Sequence, residues 1–129
     1  SVLTQEMQRL SIREVPLSFG LALRTLIDVS SKLFCENNGI SLLSGESLRD
    51  RVTRCKGKLF QLTTGWEISP FRGKIEDAMR VLSGDTLLSF TEMNSLVHGM
   101  ESLPSTETFL KYVPRIIPMI RALNGDRPQ

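Results

Sequence analysis

The chain has 129 residues, with 16 Lys and Arg against 14 Asp and Glu, and therefore a net charge of +2. Hydrophobic residues make up 40% and charged residues 23%, the balance of an ordinary folded domain with one core. A charge this near neutrality excludes a nucleic-acid binder held by bulk electrostatics, as histones are, and leaves open contacts made by a local patch.

In chain order the elements are helical. Val2, Leu3, Met7 and Leu10 recur at roughly helical intervals, which predicts a short helix or linker within residues 1–16, punctuated by Pro16. Over residues 17–35, Phe19, Leu23, Leu26, Ile27, Ser30 and Phe34 keep the period of a core-facing helix, and Asn37-Asn38-Gly39 stops it. A third helix is expected over residues 46–62, where Leu48, Val52, Cys55, Leu59 and Leu62 form one apolar stripe. Thr63-Thr64-Gly65 breaks that pattern. Ser69-Pro70 reads as an N-cap followed by proline at the first helical position, opening a fourth helix with Ile75, Ala78, Met79 and Leu82 on one face. Ser83-Gly84-Asp85 ends it.

Ser89-Phe90-Thr91-Glu92 has the pattern of a capping box and predicts a fifth helix closing at Gly99. The last helix is expected to start at Pro104-Ser105, with Glu107 in its positive first turn and Phe109, Val113, Ile116, Ile117, Ile120 and Leu123 on its apolar face. Pro114 and Pro118 each remove an internal hydrogen bond, which predicts a kink or a division into two shorter helices. Asn124-Gly125 end it, and residues 126–129 read as a disordered tail. No segment alternates with the two-residue period of a strand. The expected fold is all-α: one bundle of five to six helices over residues 17–125.

The longest nearly apolar stretch, residues 15–23, contains Pro16, Ser18 and Gly20, far short of the ~20 residues that cross a bilayer. The N-terminus lacks the basic-then-apolar pattern of a signal peptide, so a cytoplasmic location is expected and no membrane partner. Cys35 and Cys55 stand singly in sequence and read as reduced, half-buried thiols. With His98 as the one histidine they do not make a zinc site, and no metal or other cofactor is expected.

Four groups of residues carry candidate chemistry. Asn94 and His98, four apart, share a face of the fifth helix, and Arg24 and Asp28 form a second such pair on the second; together they make a candidate polar core cluster. Arg49, Arg51, Arg54, Lys56 and Lys58 crowd the third helix. Arg51, Arg54 and Lys58 follow three- and four-residue spacing, which reads as a basic stripe facing away from the core, and Arg49, Arg51, Arg54 and Lys58 are its candidate phosphate contacts. No aromatic residue interleaves them, which argues against single-strand binding. Trp66 with Ile68, Pro70 and Phe71 is either an exposed anchor or a plug at the end of the bundle. On the last helix, Tyr112, Ile116, Met119 and Ile120 are the candidate shared surface with a second copy or a neighbouring domain.

Leu23-Arg24-Thr25-Leu26-Ile27-Asp28 on an early long helix, followed by Asn94-Ser95-Leu96-Val97-His98-Gly99, resembles the helical HEPN superfamily. The likeness spans residues 17–123 and is nearest to variants appended to larger bacterial proteins of DNA metabolism and mobile-element defence. Active HEPN ribonucleases carry an arginine, a polar residue and then a histidine on the penultimate long helix, and pair two such helices into a composite, metal-independent site. The resemblance assigns that histidine to His98. Asn94 occupies the region where the arginine belongs and cannot carry its charge toward a phosphorane-like transition state. The resemblance thus implies a degenerate, non-catalytic module that self-associates or docks within a larger protein, as a homodimer or against another domain. A nucleic-acid-binding domain using the basic stripe is the second expectation. A ribonuclease using His98, Asn94 and, reaching in from the second helix, Arg24 is the third.

Overall fold

The computed structural model describes residues 16–84, 89–90 and 106–127. Those residues form four helices and no strand: α1 (Pro16–Asn37), α2 (Leu48–Leu62), α3 (Pro70–Ser83) and α4 (Thr106–Leu123). The all-α expectation is met, with four described helices in place of five or six. The short helix expected within residues 1–16, apart from Pro16, and most of the helix expected to open at Ser89 lie outside the described residues, although Ser89 and Phe90 are described and buried.

Proline at the head of α1 is compatible with helix because its missing N–H falls where no intrahelical acceptor exists. Phe19, Leu23, Leu26, Ile27, Ser30, Ser31, Phe34 and Cys35 make the buried face. Gly39, with φ +68°, takes the left-handed conformation after the last turn, and the Ile40 N–H closes back on the Cys35 carbonyl at 2.9 Å. The same device ends α4: Gly125 has φ +96°, and the Asp126 N–H reaches the Arg121 carbonyl at 2.9 Å. Asn124 adds a bond from Nδ2 to Ser30 Oγ at 2.9 Å, tying the end of α4 to α1.

α2 begins where Ser47 Oγ accepts the Asp50 N–H at 3.1 Å, and it buries Leu48, Val52, Cys55 and Leu59 as the stripe predicts. α3 begins with Pro70 at its first position. Ser69 occupies the N-cap but makes no side-chain capping bond, and its buried Oγ has no partner among the described residues. Val81 joins Ile75, Ala78 and Leu82 in the buried face, and Met79 is half-buried.

α4 is not divided into two shorter helices, one of the two outcomes expected of its prolines. It runs unbroken through Pro114 and Pro118. An interior proline costs about 3 kcal/mol of helix stability. Tertiary packing offsets this: α4 lies against both α3 and α1, and Phe109, Ile116, Met119, Ile120 and Ala122 have no exposed surface. The Phe109 ring meets Phe19 edge-on with centroids 5.2 Å apart, joining α4 to α1.

Candidate functional site

Three features concentrate chemistry: a polar seam between α1 and α2, a groove between α3 and α4, and the turn joining α2 to α3.

The seam is centred on Arg51, which is only 8% exposed. Its Nη2 donates to Asp28 Oδ1, and its Nε donates to Ser31 Oγ at 2.9 Å. Ser31 Oγ donates in turn to the Asp28 carbonyl at 2.9 Å, and Lys32 Nζ lies 3.3 Å from the other Asp28 oxygen. Arg51 therefore does not belong to an outward basic stripe. It stands three residues after Leu48 and four before Cys55, which puts it on the margin of the core stripe, where a carboxylate on α1 answers its charge. Arg54 is also engaged: Nε and Nη2 meet the two Glu46 oxygens at 2.5 and 2.7 Å, and Nη2 also reaches the Ser41 carbonyl at 3.0 Å. This fork holds the α1–α2 loop, and its hydrogen bonds keep the Glu46 carboxyl below the usual range. Arg49 is exposed and Lys58 half-exposed, while Lys56 bridges to Glu76 on α3 at 3.3 Å.

Of the expected polar core cluster, Asp28 pairs with Arg51 and Lys32, and Arg24 lies half-buried one turn earlier on α1. Asn94 and His98 lie outside the described residues, and with them the ribonuclease constellation. The expected shared surface is corrected as well. Ile116, Met119 and Ile120 are fully buried in the chain's own core, and Tyr112 is half-buried beneath Lys111 and Arg115. α4 is flanked on two sides, so the apolar positions that looked available to a partner are used internally.

Along the other side, Pro70, Gly73, Lys74, Asp77, Pro114, Arg115 and Pro118 line an open groove of about 490 Å³ between α3 and α4. Arg115 spans it, donating from Nε and Nη2 to the two Asp77 oxygens at 2.9 and 2.8 Å, with Arg80 3.6 Å away. Arg115 is the main reason the Asp77 carboxyl is held below its ordinary value. A depressed carboxyl contributes stability that is present above the unfolded-state pKa of about 3.9 and is lost as the pH falls through the folded value. Urea midpoints are therefore expected to fall on acidification below about pH 4. Arg115→Met should narrow the gap between midpoints at neutral and acid pH; an unchanged gap would place the acid sensitivity elsewhere.

The α2–α3 turn is braced from several directions. The Trp66 N–H donates to the Thr63 carbonyl at 2.9 Å, the Ser69 N–H to the Trp66 carbonyl at 2.9 Å, and the Gly65 N–H to Glu67 Oε1 at 3.0 Å. Arg72 Nη2 donates to the Phe60 and Thr63 carbonyls at 2.5 and 3.1 Å while its guanidinium lies 4.4 Å from the Phe60 ring centroid. Trp66 packs edge-on against buried Phe71 with centroids 5.8 Å apart. Held on this turn, Ile68 is 100% exposed, and Leu62 is 47% exposed. The four residues grouped in the sequence thus divide: Trp66 and Phe71 plug the bundle end, Ile68 projects, and Pro70 is exposed at the head of α3.

The seam also joins two residues that the sequence keeps apart. Cys35 and Cys55 are free, buried and in contact, with sulfurs 3.7 Å apart. Both stand on apolar stripes of adjacent helices, which is the signal that the spacing of cysteines alone does not carry. No group of three or more His, Cys, Asp and Glu side chains able to hold a metal ion occurs among the described residues, and none of their helices is long and apolar enough to cross a membrane. No protein-family model, curated protein or solved structure matches this chain.

Proposed function

We propose that this chain is a non-catalytic helical module that associates with a second copy of itself through the α2–α3 turn. Its setting is a larger bacterial protein of DNA metabolism or defence, the context that the HEPN resemblance implies. The observation that carries the reading is Ile68: a wholly exposed isoleucine on a turn fixed by backbone, side-chain and aromatic contacts. A fixed turn loses little conformational entropy on binding, so an apolar knob held this way is suited to contact rather than to solvent.

The turn and the helix ends that flank it supply a seat for that knob. Leu62 is largely exposed and Trp66 partly so, and Glu67 and Arg72 offer opposite charges. A two-fold axis brings the same patch of each copy together, so a patch holding both knob and seat, and both signs of charge, is self-complementary. Sedimentation velocity over the micromolar range tests this. The wild-type chain should form a dimer, and Ile68→Asp should weaken it by at least about tenfold with unchanged helicity, as expected for burying a charge in an apolar contact. A wild-type chain that stays monomeric at high micromolar concentration, or an Ile68→Asp chain that dimerises equally well, overturns the reading.

A further inference from the structure

Cys35 and Cys55 belong to different helices, and neither takes part in the association surface proposed above. Their sulfurs are in van der Waals contact at 3.7 Å, and the Cys55 S–H also points to the Ser31 carbonyl at 3.7 Å. The chemistry open to them is narrow. Nucleophilic catalysis needs a thiolate, whereas burial, with Cys35 beside it, pushes the Cys55 thiol up to about 12. A structural zinc needs four ligands, and two thiols supply half of them. Two facing thiols on separate helices can instead join to each other.

From this contact we infer that Cys35 and Cys55 are an oxidative modification site, closing into an intrachain disulfide at the expense of a low-molecular-weight disulfide such as oxidised glutathione. One cysteine, deprotonated as α1 and α2 part transiently, attacks a sulfur of the donor, forming a mixed disulfide and releasing the first donor thiol. The second cysteine displaces the other half of the donor and forms the protein S–S bond. Two protein S–H bonds and one donor S–S bond are exchanged for one protein S–S bond and two donor S–H bonds. The protein loses two electrons, the donor gains them, and the protons end on the released thiols. The sulfurs have to close from 3.7 Å to about 2 Å across a seam that the Arg51–Asp28 pair also spans. The bond cross-links α1 to α2, whose loop it converts into a closed ring.

The test equilibrates the full chain in glutathione buffers of graded ratio, approached from both the reduced and the oxidised side so that slow opening of the seam does not mimic equilibrium. Free thiols and intact mass are read at each ratio for the folded chain and again for the urea-unfolded chain. The folded chain should favour the bond at least about tenfold more than the unfolded chain. Its product should lack two hydrogens, carry no glutathione and melt about 10 °C higher. Equal or weaker preference in the folded chain, a glutathione adduct as the end product, or covalent dimers would overturn the assignment. Cys35→Ser, which keeps Cys55 as its one thiol, should give the adduct and no internal bond.

Discussion

Phe109→Ala is expected to lower the unfolding free energy by about 3–5 kcal/mol, measured by urea denaturation. The ring has no exposed surface and meets Phe19 edge-on, so truncation removes both the burial of an aromatic side chain and an aromatic pair. The position matters beyond its area. α4 runs through Pro114 and Pro118, and its internal hydrogen-bond ladder is short of two donors. It is therefore held by what it packs against, and Phe109 anchors its first half to α1. A domain of this size is stable by about 5–15 kcal/mol, so this one truncation removes a large part of the total. Phe109→Leu, which keeps most of the volume, should restore more than half of the loss. A loss below about 1 kcal/mol for Phe109→Ala would mean that α4 does not depend on this contact.

Arg51→Met is the second large effect, about 2–3 kcal/mol of stability. Removing a buried cation leaves its carboxylate desolvated, and here it also leaves Ser31 Oγ without its Nε–H donor. The value is set below that of a fully buried pair because the Asp28 side chain is 26% exposed and keeps Lys32. The result decides between two roles for one arginine. As a phosphate contact on an outward face, Arg51 would be replaceable at little cost in folding; as the centre of the α1–α2 seam, it is not. Loss of nucleic-acid binding on Arg51 replacement would thus report a loosened fold unless helicity and the urea midpoint are unchanged. A cost below about 0.5 kcal/mol would return Arg51 to the surface role.

The same arginine marks the limit of what helical spacing encodes. The stripe Leu48, Val52, Cys55 and Leu59 is legible because apolar residues recur at helical spacing, and the ends at Gly39 and Gly125 are legible because glycine alone enters the left-handed region freely. Arg51 lies on the edge of that stripe, but its partner is 23 residues away on another helix, and helical periodicity carries no information about pairing at that distance. α4 is a related case. Local rules allow two interior prolines either a kink or a division into two helices, and they do not register the packing on two sides that keeps α4 one helix. Ile116, Met119 and Ile120 look alike in sequence whether they face a core or a partner, and only the positions of α1 and α3 separate the cases. At the α2–α3 turn the composition showed an apolar cluster, while the division between plug and projection depends on how Arg72, Glu67 and Phe71 brace the chain.

That division gives the most direct measurement of the central claim, that copies of this chain meet at the α2–α3 turn and not along α4. Isoleucine methyl signals report each position separately as protein concentration is raised. The Ile68 methyl should shift with concentration along a single binding curve, while the Ile116 and Ile120 methyls, enclosed in the core, hold their positions. An Ile68 methyl that does not move, or Ile116 and Ile120 methyls that move in its place, would contradict the account.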